Sequence, residues 1–406
     1  MVSEKKLEKR RIFRGIRILD FTRVLSGPFC TRLFADMGAE VIKIEEPIIG
    51  DDARSFPYVI SPGNTGYYLQ QNCGKKSVSL DMKKEEAIEI LKKLVIISDV
   101  VVENFRPGVM AKYRLDYQNL KAIRKDIIMC SISAFGQTGP YSSFVGNDLT
   151  TQAMSGLMDM TGDPDGPPRN VGTGMADVTS GIFAFGAISS ALYQREKTGL
   201  GEYIDISMVD CVFSGYEIAV QSFILSKGQF KPRRWGSHHP TVVPFGTYQA
   251  ADGWVVVTIF NDSAWHRLLE AMGKPELISD PRFTGNAARA KNRETVINMV
   301  QEWIKNIPVK QALQILSEAR IPSSPVLSIP EVINHPQIKA RKMLVEVEHE
   351  GIGKVEILNS PLRFSNSEAC VGGKAAALGE HNDDVLEMLG YSQDAINILR
   401  MNSVIS

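Results

Sequence analysis

Apolar and polar positions alternate between strand-like and helical patterns along the first half of the chain. Short β-rich apolar runs predict buried strands at residues 16–21, 41–45, 100–102, 127–132 and 203–208. Apolar residues at helical spacing predict helices over 29–37 and 85–97. Such alternation predicts an α/β fold with a mainly parallel sheet. The first strand-to-helix turn lacks GxGxxG, which disfavours a nicotinamide enzyme.

The pattern changes after residue 208. Residues 227–244 are basic and rich in turn formers, and they precede a predicted hairpin at 246–260. Helices are predicted at 263–272, 293–305 and 309–319, and the proline-containing stretch 321–330 is expected to be a linker. We therefore predict a large domain at 1–224, a smaller α+β domain at 225–325, and a linker with a C-terminal part at 326–406.

Composition and charge disfavour several classes of protein. Lys and Arg total 46, as do Asp and Glu, so the formal net charge is zero. Nucleic acids and anionic membranes bind proteins with an excess of positive charge, so the balance argues against both as partners. No apolar run reaches the roughly 20 residues of a membrane span, and the charged residues 1–11 lack the apolar core of a signal peptide. Five scattered cysteines form no CxxC pair or zinc spacing, so we expect a cytoplasmic protein without a bound metal.

One carboxylate stands out in the segment 172–181, GTGMADVTSG, where a strand or loop precedes a predicted long helix of small residues. Two interpretations of Asp177 are open from the local sequence. Asp is a favoured N-cap, so Asp177 is a plain helix cap in the first. In the second it is a nucleophile, kept ionised by backbone N–H groups and the helix dipole.

Seven short motifs follow one another in register along nearly the whole chain. They are GIRILDFT (15–22) with Gly27 and Pro28, GAEVIKIE (38–45), Asn72 with KKS (75–77) and LD (80–81), VENFRPG (102–108), SAFGQTGPY (133–141), TGLGEYIDISM (198–208) and LGEH (378–381). In order and spacing they resemble the class III coenzyme A transferases of the CaiB/BaiF type. That family includes formyl-CoA transferase and is related to α-methylacyl-CoA racemase.

The resemblance implies a Rossmann-like large domain built from both chain ends, a small domain from the middle, and a homodimer of two interlocked subunits. It also implies that Asp177 is catalytic. Asp177 would attack a donor acyl-CoA to give an aspartyl anhydride and then an aspartyl-CoA thioester, and an acceptor acid would reverse these steps. Backbone amides would form the oxyanion hole. The expected partners are acyl-CoA and a carboxylic acid, with no permanently bound cofactor.

The resemblance also places coenzyme A on this sequence. Its phosphates and adenine need cations, backbone donors and a flat apolar face. Arg106 and Lys112 are the expected phosphate partners, and the alternative is that both are solvated surface charges. The expected CoA-binding residues are Val24, Leu25, Ser26, Arg54, Leu80, Lys83, Asn104, Phe105, Arg106, Lys112, Asn147 and Asp148.

Two positions depart from the family's subgroups. Glu46 stands where the formyl-CoA type has an arginine near the adenine, so Lys43 or Arg54 is expected to substitute. Asn147 stands where the racemase branch has a histidine and the formyl type a tyrosine. Racemisation at the α-carbon needs an acid and a base, and an amide is neither. The sequence therefore favours a transferase over a racemase.

The segment 236–246, GSHHPTVVPFG, replaces the glycine-rich loop of the formyl type. His238 and His239 are candidates for the acceptor site, and the alternative for His239 is a loop-stabilising role. With the basic run at 231–234, they suggest a small dicarboxylic or hydroxy acid, although charge runs are usually solvated. An α-methylacyl-CoA racemase and a non-catalytic CoA-binding homologue are the alternative functions.

Overall fold

The computed structural model describes residues 11–406, which form two units. The large unit comprises the described residues up to Leu157, Asn170–Ile218 and Pro336–Ser406. The small unit comprises Met158–Arg169 and Ala219–His335. These boundaries differ from the expected ones at 225 and 325. Apart from Arg11, the stretch 1–11 considered for a signal peptide lies outside the described residues.

A parallel sheet of six strands forms the centre of the large unit. Its strands are β1 Arg17–Asp20, β2 Glu40–Glu45, β5 Lys76–Ser79, β6 Val100–Glu103, β7 Ile128–Ser133 and β8 Tyr203–Ser207. They are ordered β5-β2-β1-β6-β7-β8, and every pairing is parallel. Counted along the chain this is the 3-2-1-4-5-6 order of doubly wound folds. The α/β prediction and its Rossmann-like large domain are confirmed.

Two short antiparallel ribbons complete the strands of the large unit. They pair β3 Val59–Ser61 with β4 Asn64–Thr65, and β12 Leu344–His349 with β13 Gly353–Leu358. The helices are α1 Ser26–Asp36, α2 Gly66–Asn72, α3 Glu85–Ile96, α4 Val109–Lys112, α5 Tyr117–Ile123, α6 Asp148–Met154, α8 Met175–Thr198, α9 Met208–Phe213, α16 Pro336–Ala340, α17 Asn382–Met388 and α18 Gln393–Met401. Helix α7, Leu157–Met160, crosses the boundary between the units.

The two faces of the central sheet bury separate apolar cores. Neighbouring residues of a strand point to opposite faces. Leu19 of β1 accordingly packs in a core with Leu91 of α3, whereas Ile18 packs in a core with Phe34 of α1 and Ile188 of α8. Both faces are covered, so a central strand such as β6, with the sequence Val-Val-Val-Glu, is buried along its whole length.

Helix α8 lies close to α1 because a glycine faces the contact. A Cβ atom on Gly181 would lie 2.7 Å from the carbonyl oxygen of Ser26. By length and composition α8 could cross a membrane, a test that core helices also pass. Ala184 and Ile188 are fully buried in the second core, so this face of α8 packs as in a core helix.

The C-terminal segment covers the β5 edge of the sheet. The Ser79 N–H donates to Asn382 Oδ1 at 2.8 Å, and the Ser406 N–H donates to Ser79 Oγ at 2.9 Å. Just beyond β5, the Asp81 N–H donates to the Val404 carbonyl at 2.9 Å. The edge of the first half of the sheet is therefore completed by residues from the far end of the chain.

The small unit has its own antiparallel sheet and apolar core. Its strands are β9 Phe245–Gln249, β10 Trp254–Thr258 and β11 Ser323–Pro325, in the order β11-β10-β9. Its helices are α10 Ala219–Leu225, α11 Asp262–Ala271, α12 Asn286–Lys291, α13 Arg293–Ile304, α14 Val309–Glu318 and α15 Ile329–Asn334. The hairpin and three of these helices follow the predicted pattern. The stretch 321–330 contains β11, so its interpretation as a linker is wrong.

Candidate active site

The loops after β1 and β6 meet where the strand order of the central sheet reverses. Ligands of open α/β sheets bind at this switch point. The side chain of Asn104 joins the two loops: its Oδ1 accepts from the Arg23 N–H at 2.8 Å, and its Nδ2 donates to the Arg23 carbonyl at 2.9 Å and to Ser26 Oγ at 3.2 Å. Asn104 therefore fixes the start of α1 against the end of β6.

Val24 lies in this loop with a left-handed backbone, at φ 66°. A β-branched residue rarely adopts this conformation, which stores strain. The Val24 N–H donates to Asp51 Oδ1 at 3.0 Å, and Asp51 also pairs with the Lys43 ammonium at 2.8 Å. Burial alone would raise the pKa of Asp51, but Lys43 and the N–H groups of Ala53 and Val24 hold it below its usual value. The ionised carboxylate thus keeps Val24 in place.

Asp177 is the third residue of α8, and Gly174 is the N-cap. The interpretation of Asp177 as a plain N-cap is therefore wrong. The capping group is Asp148, whose Oδ1 accepts from the N–H groups of Ala176 at 2.8 Å and Asp177 at 3.2 Å. Asp148 Oδ2 accepts from Gln152 Nε2 at 2.6 Å. The carboxylate predicted to bind CoA is thus committed to holding the first turn of α8.

The acidity of Asp177 follows from these contacts. The pKa of Asp177 is raised to about 6: burial is the largest cause, the nearby Asp148 carboxylate adds to the rise, and a hydrogen bond from Ser26 opposes it. The expectation that the helix terminus lowers this pKa is wrong, because Asp148 uses the free N–H groups and adds a negative charge. At neutral pH the Asp177 carboxylate is still largely ionised.

A cavity of about 480 Å³ opens at Asp177. It lies within the large unit and brings together nine of the predicted site residues. They are Val24, Leu25, Ser26, Asn104, Phe105, Arg106, Asn147, Asp148 and Asp177. Within residues 11–406, no group of three His, Cys, Asp or Glu side chains could hold a metal ion.

A second cavity, of about 180 Å³, shares Arg23 and Phe105 with the first. Leu80 and Lys83 line it, as predicted, and so does Glu46. Glu46 carries ion pairs with Lys83 at 3.2 Å and Arg23 at 3.7 Å. The acidic residue therefore gathers two cations at the cavity wall.

Lys112 ends α4 next to this second cavity. Its ammonium lies 5.5 Å from the ring centroid of Tyr113, which lines the cavity, and its side chain is exposed. It does not itself line either cavity.

Arg54 and Lys43 do not face these cavities. Arg54 is 4% exposed and pairs with Glu45 at 2.7 Å, and its guanidinium also donates to the Tyr68 hydroxyl. Lys43 is 1% exposed, and its ammonium is held by Asp51 and the Thr22 carbonyl. The prediction that either replaces the arginine missing at position 46 is wrong, because both cations are consumed by internal partners.

Asn147 caps α6 through a reciprocal arrangement with Thr150. Asn147 Oδ1 accepts from the Thr150 N–H at 3.1 Å, and the Asn147 N–H donates to Thr150 Oγ1 at 2.8 Å. The amide is thus engaged as a helix cap at the cavity wall, and it has no titratable proton.

Two residues of the site were not assigned a role from sequence. The Ser133 hydroxyl, at the end of β7, lines the first cavity, is buried and has no partner among the described residues. Burial is the largest cause that raises the pKa of Tyr67 of α2, and the charges of Asp177, Asp51 and Asp148 add to the rise, so Tyr67 lies near these carboxylates. Ser133 lies in a quoted motif, whereas no sequence signal distinguished Tyr67.

His238 and His239 belong to the small unit, and their proximity to Asp177 stays a prediction. His239 Nδ1 accepts from the N–H groups of Thr241 at 3.2 Å and Val242 at 3.1 Å, which supports the loop-stabilising alternative. The His238 ring instead lies at 5.2 Å, centroid to centroid, from Tyr248.

The fold and the first cavity define an α/β protein with a ligand site at its switch point. A family model described as CoA-transferase family III matches residues 13–382. Succinyl-CoA:glutarate CoA-transferase of Mus musculus is 35% identical, over 96% of this chain and 89% of the relative. Succinyl-CoA:mesaconate CoA-transferase of Haloarcula hispanica is 38% identical, over 92% of this chain and 96% of the relative.

A solved structure agrees with these relatives. The CAIB/BAIF family protein from Brucella suis matches with a TM-score of 0.82 and 34% identity, over 94% of this chain and 100% of the other. The chain therefore belongs to CoA-transferase family III. It is a CoA-transferase, and CoA thioesters are its substrates.

Proposed function

We propose that the protein moves coenzyme A between an acyl thioester and a small dicarboxylic acid, with Asp177 as the covalent nucleophile. The main support for this proposal is the position of the Asp177 carboxylate, which is half-buried in the cavity at the switch point. Ser26 holds it on one side, and the turn of α8 that Asp148 caps holds it on the other. The names of the two relatives pair succinyl-CoA with glutarate and with mesaconate. All three acids are dicarboxylic, which supports the acceptor class.

The transfer balances without an added acid or base. An Asp177 oxygen attacks the thioester carbonyl, the C–S bond breaks, and an anhydride and CoA thiolate form. The thiolate attacks the aspartyl carbonyl, releases the donor carboxylate and leaves an aspartyl-CoA thioester. The acceptor carboxylate attacks this thioester and frees the thiolate. This attack forms a second anhydride, between Asp177 and the acceptor. The thiolate then attacks the acceptor carbonyl of that anhydride, which gives the new thioester and restores the Asp177 carboxylate.

Local groups support these steps. The Ser26 hydroxyl accepts from Asn104 Nδ2 and donates to Asp177, so it orients the attacking oxygen. Helix α1 begins beside Asp177 without a side-chain cap, and its first N–H groups suit the developing oxyanion.

The CoA-binding residues of this proposal line the two cavities. We retain Val24, Leu25, Ser26, Leu80, Lys83, Asn104, Phe105, Arg106 and Asn147, with Lys112 beside the second cavity. Arg54 is left out because it is buried in an ion pair, and Asp148 acts through α8. Arg106 and Lys112 are the phosphate partners.

The assembly belongs to the same proposal. Exposed apolar side chains on α8, with Ile182 at 53% and Tyr193 at 68%, suit burial against a second copy in an interlocked homodimer. A single-chain mass in analytical ultracentrifugation would contradict it. A cytoplasmic location is expected, and cell fractionation tests it.

Hydroxylamine trapping tests the nucleophile. During turnover with a dicarboxylate pair, the activated Asp177 is expected to become a hydroxamate, visible as a mass change on its peptide. Asp177→Asn is expected to lower transfer at least ~10³-fold, since a nucleophile is lost, while CoA affinity stays within a few-fold. Full transfer by Asp177→Asn, or a hydroxamate elsewhere, would exclude this mechanism.

The racemase alternative has a separate test. Asn147 offers no proton for transfer at the α-carbon. We expect no deuterium to enter the α-carbon of a 2-methylacyl-CoA in deuterated water. Incorporation at a rate comparable to transfer would favour the racemase.

A further inference from the structure

Two arginines of the small unit lie over one tryptophan, and neither has an acidic partner in the described part of the chain. The guanidinium carbons of Arg233 and Arg293 lie 4.3 Å and 4.5 Å from the ring centroid of Trp235. No ion pair within residues 11–406 includes Arg233 or Arg293. Carboxylates of this unit pair with other arginines, Asp159 with Arg234 at 2.9 Å and Asp262 with Arg289 at 2.6 Å.

Three buried polar atoms beside these arginines lack a hydrogen-bond partner in the described part of the chain. They are Trp235 Nε1, His238 Nδ1 and the Tyr248 hydroxyl. Tyr248 is 1% exposed and contacts the His238 ring. Burying a polar atom unpaired costs about 1–3 kcal/mol, so three of them around one pair of cations call for a physical reason.

Electrostatics ties these groups to Arg293. Burial and then Arg293 lower the pKa of His238, and burial raises the pKa of Tyr248 while Arg293 opposes the rise. The pKa of Arg293 is itself lowered, by burial and by the charge of Arg233. The cluster therefore has an uncompensated positive charge, together with unpaired polar atoms.

The backbone holds this arrangement in place. The Arg293 guanidinium donates to the carbonyls of His239 and Pro240, which fixes it on the loop. A Cβ atom on Gly246 would lie 2.0 Å from His238 Nδ1, so only glycine at this position leaves room for the imidazole. Arg233 is exposed and Arg293 is half-buried, so an anion can approach from the arginine side.

We propose that Arg233, Trp235, His238, Tyr248 and Arg293, the Trp235 cluster, form an anion site that binds a carboxylate. Guanidinium, indole N–H, imidazole N–H and phenol are all donors to an anionic oxygen. Resting on the proposed function, the occupant is a carboxylate group of the dicarboxylic acid substrate. CoA phosphates share this chemistry, and the experiment separates the two sources.

Tryptophan fluorescence of the full chain tests the site without turnover. Glutarate is titrated into the wild type, into Trp235→Phe to assign the signal, and into Arg293→Gln and Arg233→Gln. Arg282→Gln is the matched control, since Arg282 of the same unit lies over Phe283 at 5.1 Å and pairs with Asp280. We expect saturable quenching by glutarate that is absent with glutaramide, which has the same length and no charge. Its Kd should rise ~10-fold or more in Arg293→Gln and stay unchanged in Arg282→Gln.

Other outcomes are equally decisive. Equal glutarate affinity in the wild type, Arg293→Gln and Arg233→Gln would overturn the site. Quenching by CoA or inorganic phosphate, but not by glutarate, would overturn the carboxylate assignment. Circular dichroism establishes folding, and Arg233→Gln, on an exposed side chain, gives the answer if Arg293→Gln does not fold. Glutarate binding without any transfer would refute the proposed function and leave the site standing.

Discussion

The surroundings of Asp177 and the Trp235 cluster are opposite in charge and in hydrogen bonding. Around Asp177 the supporting carboxylates are fully engaged: Asp148 caps α8, and Asp51 binds Lys43 and the Val24 N–H. In the Trp235 cluster, among residues 11–406, the cations lack an acidic partner and three buried polar atoms lack a hydrogen-bond partner. Buried polar groups are normally paired. Apart from the unpaired Ser133 hydroxyl, the scaffold around Asp177 is therefore complete among the described residues, whereas the Trp235 cluster has the features of a site that an absent ligand completes.

The largest effect is expected from removing a paired polar group, the Asp51 carboxylate, in comparison with an unpaired one, the Tyr248 hydroxyl. Asp51→Asn leaves the Lys43 ammonium buried at 1% exposure without its counter-ion, and we expect a loss of about 3–5 kcal/mol in the free energy of unfolding. Asp52→Asn, on the exposed neighbouring residue, is the control. Tyr248→Phe removes a hydroxyl with no partner among the described residues, and stability should hold or rise by about 1 kcal/mol. Urea denaturation measures all three.

The contribution of Asp51 to stability can also be tested in the wild type by lowering the pH. The folded-state pKa of Asp51 is below its usual value, so its contribution to stability is present above its unfolded-state pKa. That contribution is lost as the pH falls through the folded-state pKa. A Tyr248→Phe loss as large as that of Asp51→Asn would break the comparison.

The next effect concerns how the scaffold sets the position of Asp177. Gly181→Ala places a Cβ atom 2.7 Å from the Ser26 carbonyl and forces α8 away from α1. We expect a loss of about 1–3 kcal/mol in stability and a fall in kcat. Gly186→Ala, in the same helix, meets nothing within 4 Å in the same chain, so within the single chain it should gain about 0.5–1 kcal/mol. Equal behaviour of the two variants in urea melts and kinetics would contradict this account.

The smallest effect is on pH dependence. Asp177 acts as a carboxylate with a pKa of about 6, so kcat/KM should fall as the pH drops through that value. Asp148→Asn removes a neighbouring negative charge and keeps a residue that can cap α8. We expect the acid limb of the kcat/KM profile to move down by up to ~1 pH unit. An acid limb that moves up, or stays in place, would show that Asp148 does not raise this pKa.

Much of the large unit could be predicted from the sequence, because short apolar runs in the local sequence specify its strands and helices. Apolar runs located β1, β2, β6, β7 and β8, the motif at 102–108 contains Asn104, and the family resemblance singled out Asp177. In contrast, β11 has the sequence Ser-Ser-Pro, which is typical of a loop. It is a strand only because it pairs with Val255–Val257 at a sheet edge, where a proline is tolerated.

The internal roles of Arg54 and Asp148 were not foreseen for one reason, which is that their partners lie on other elements of the fold. Arg54 has the charge of a phosphate-binding residue, and only the fold shows that it is buried against Glu45. Asp148 caps a helix that begins at Met175. In the Trp235 cluster, Tyr248 and Arg293 come from other elements and pack beside His238. No local spacing encodes such contacts.

The closure of the β5 edge by the C-terminal segment bears on how the chain matures during synthesis. The Ser79 and Asp81 N–H groups find their acceptors in Asn382 and Val404, and the Ser79 hydroxyl accepts from the Ser406 N–H. The small unit ends at His335, so all of its core has been translated before those partners emerge from the ribosome. Since domains generally fold as units during synthesis, we expect the small unit to fold first. The β5 edge of the sheet then stays uncovered until residues 382–406 have been added.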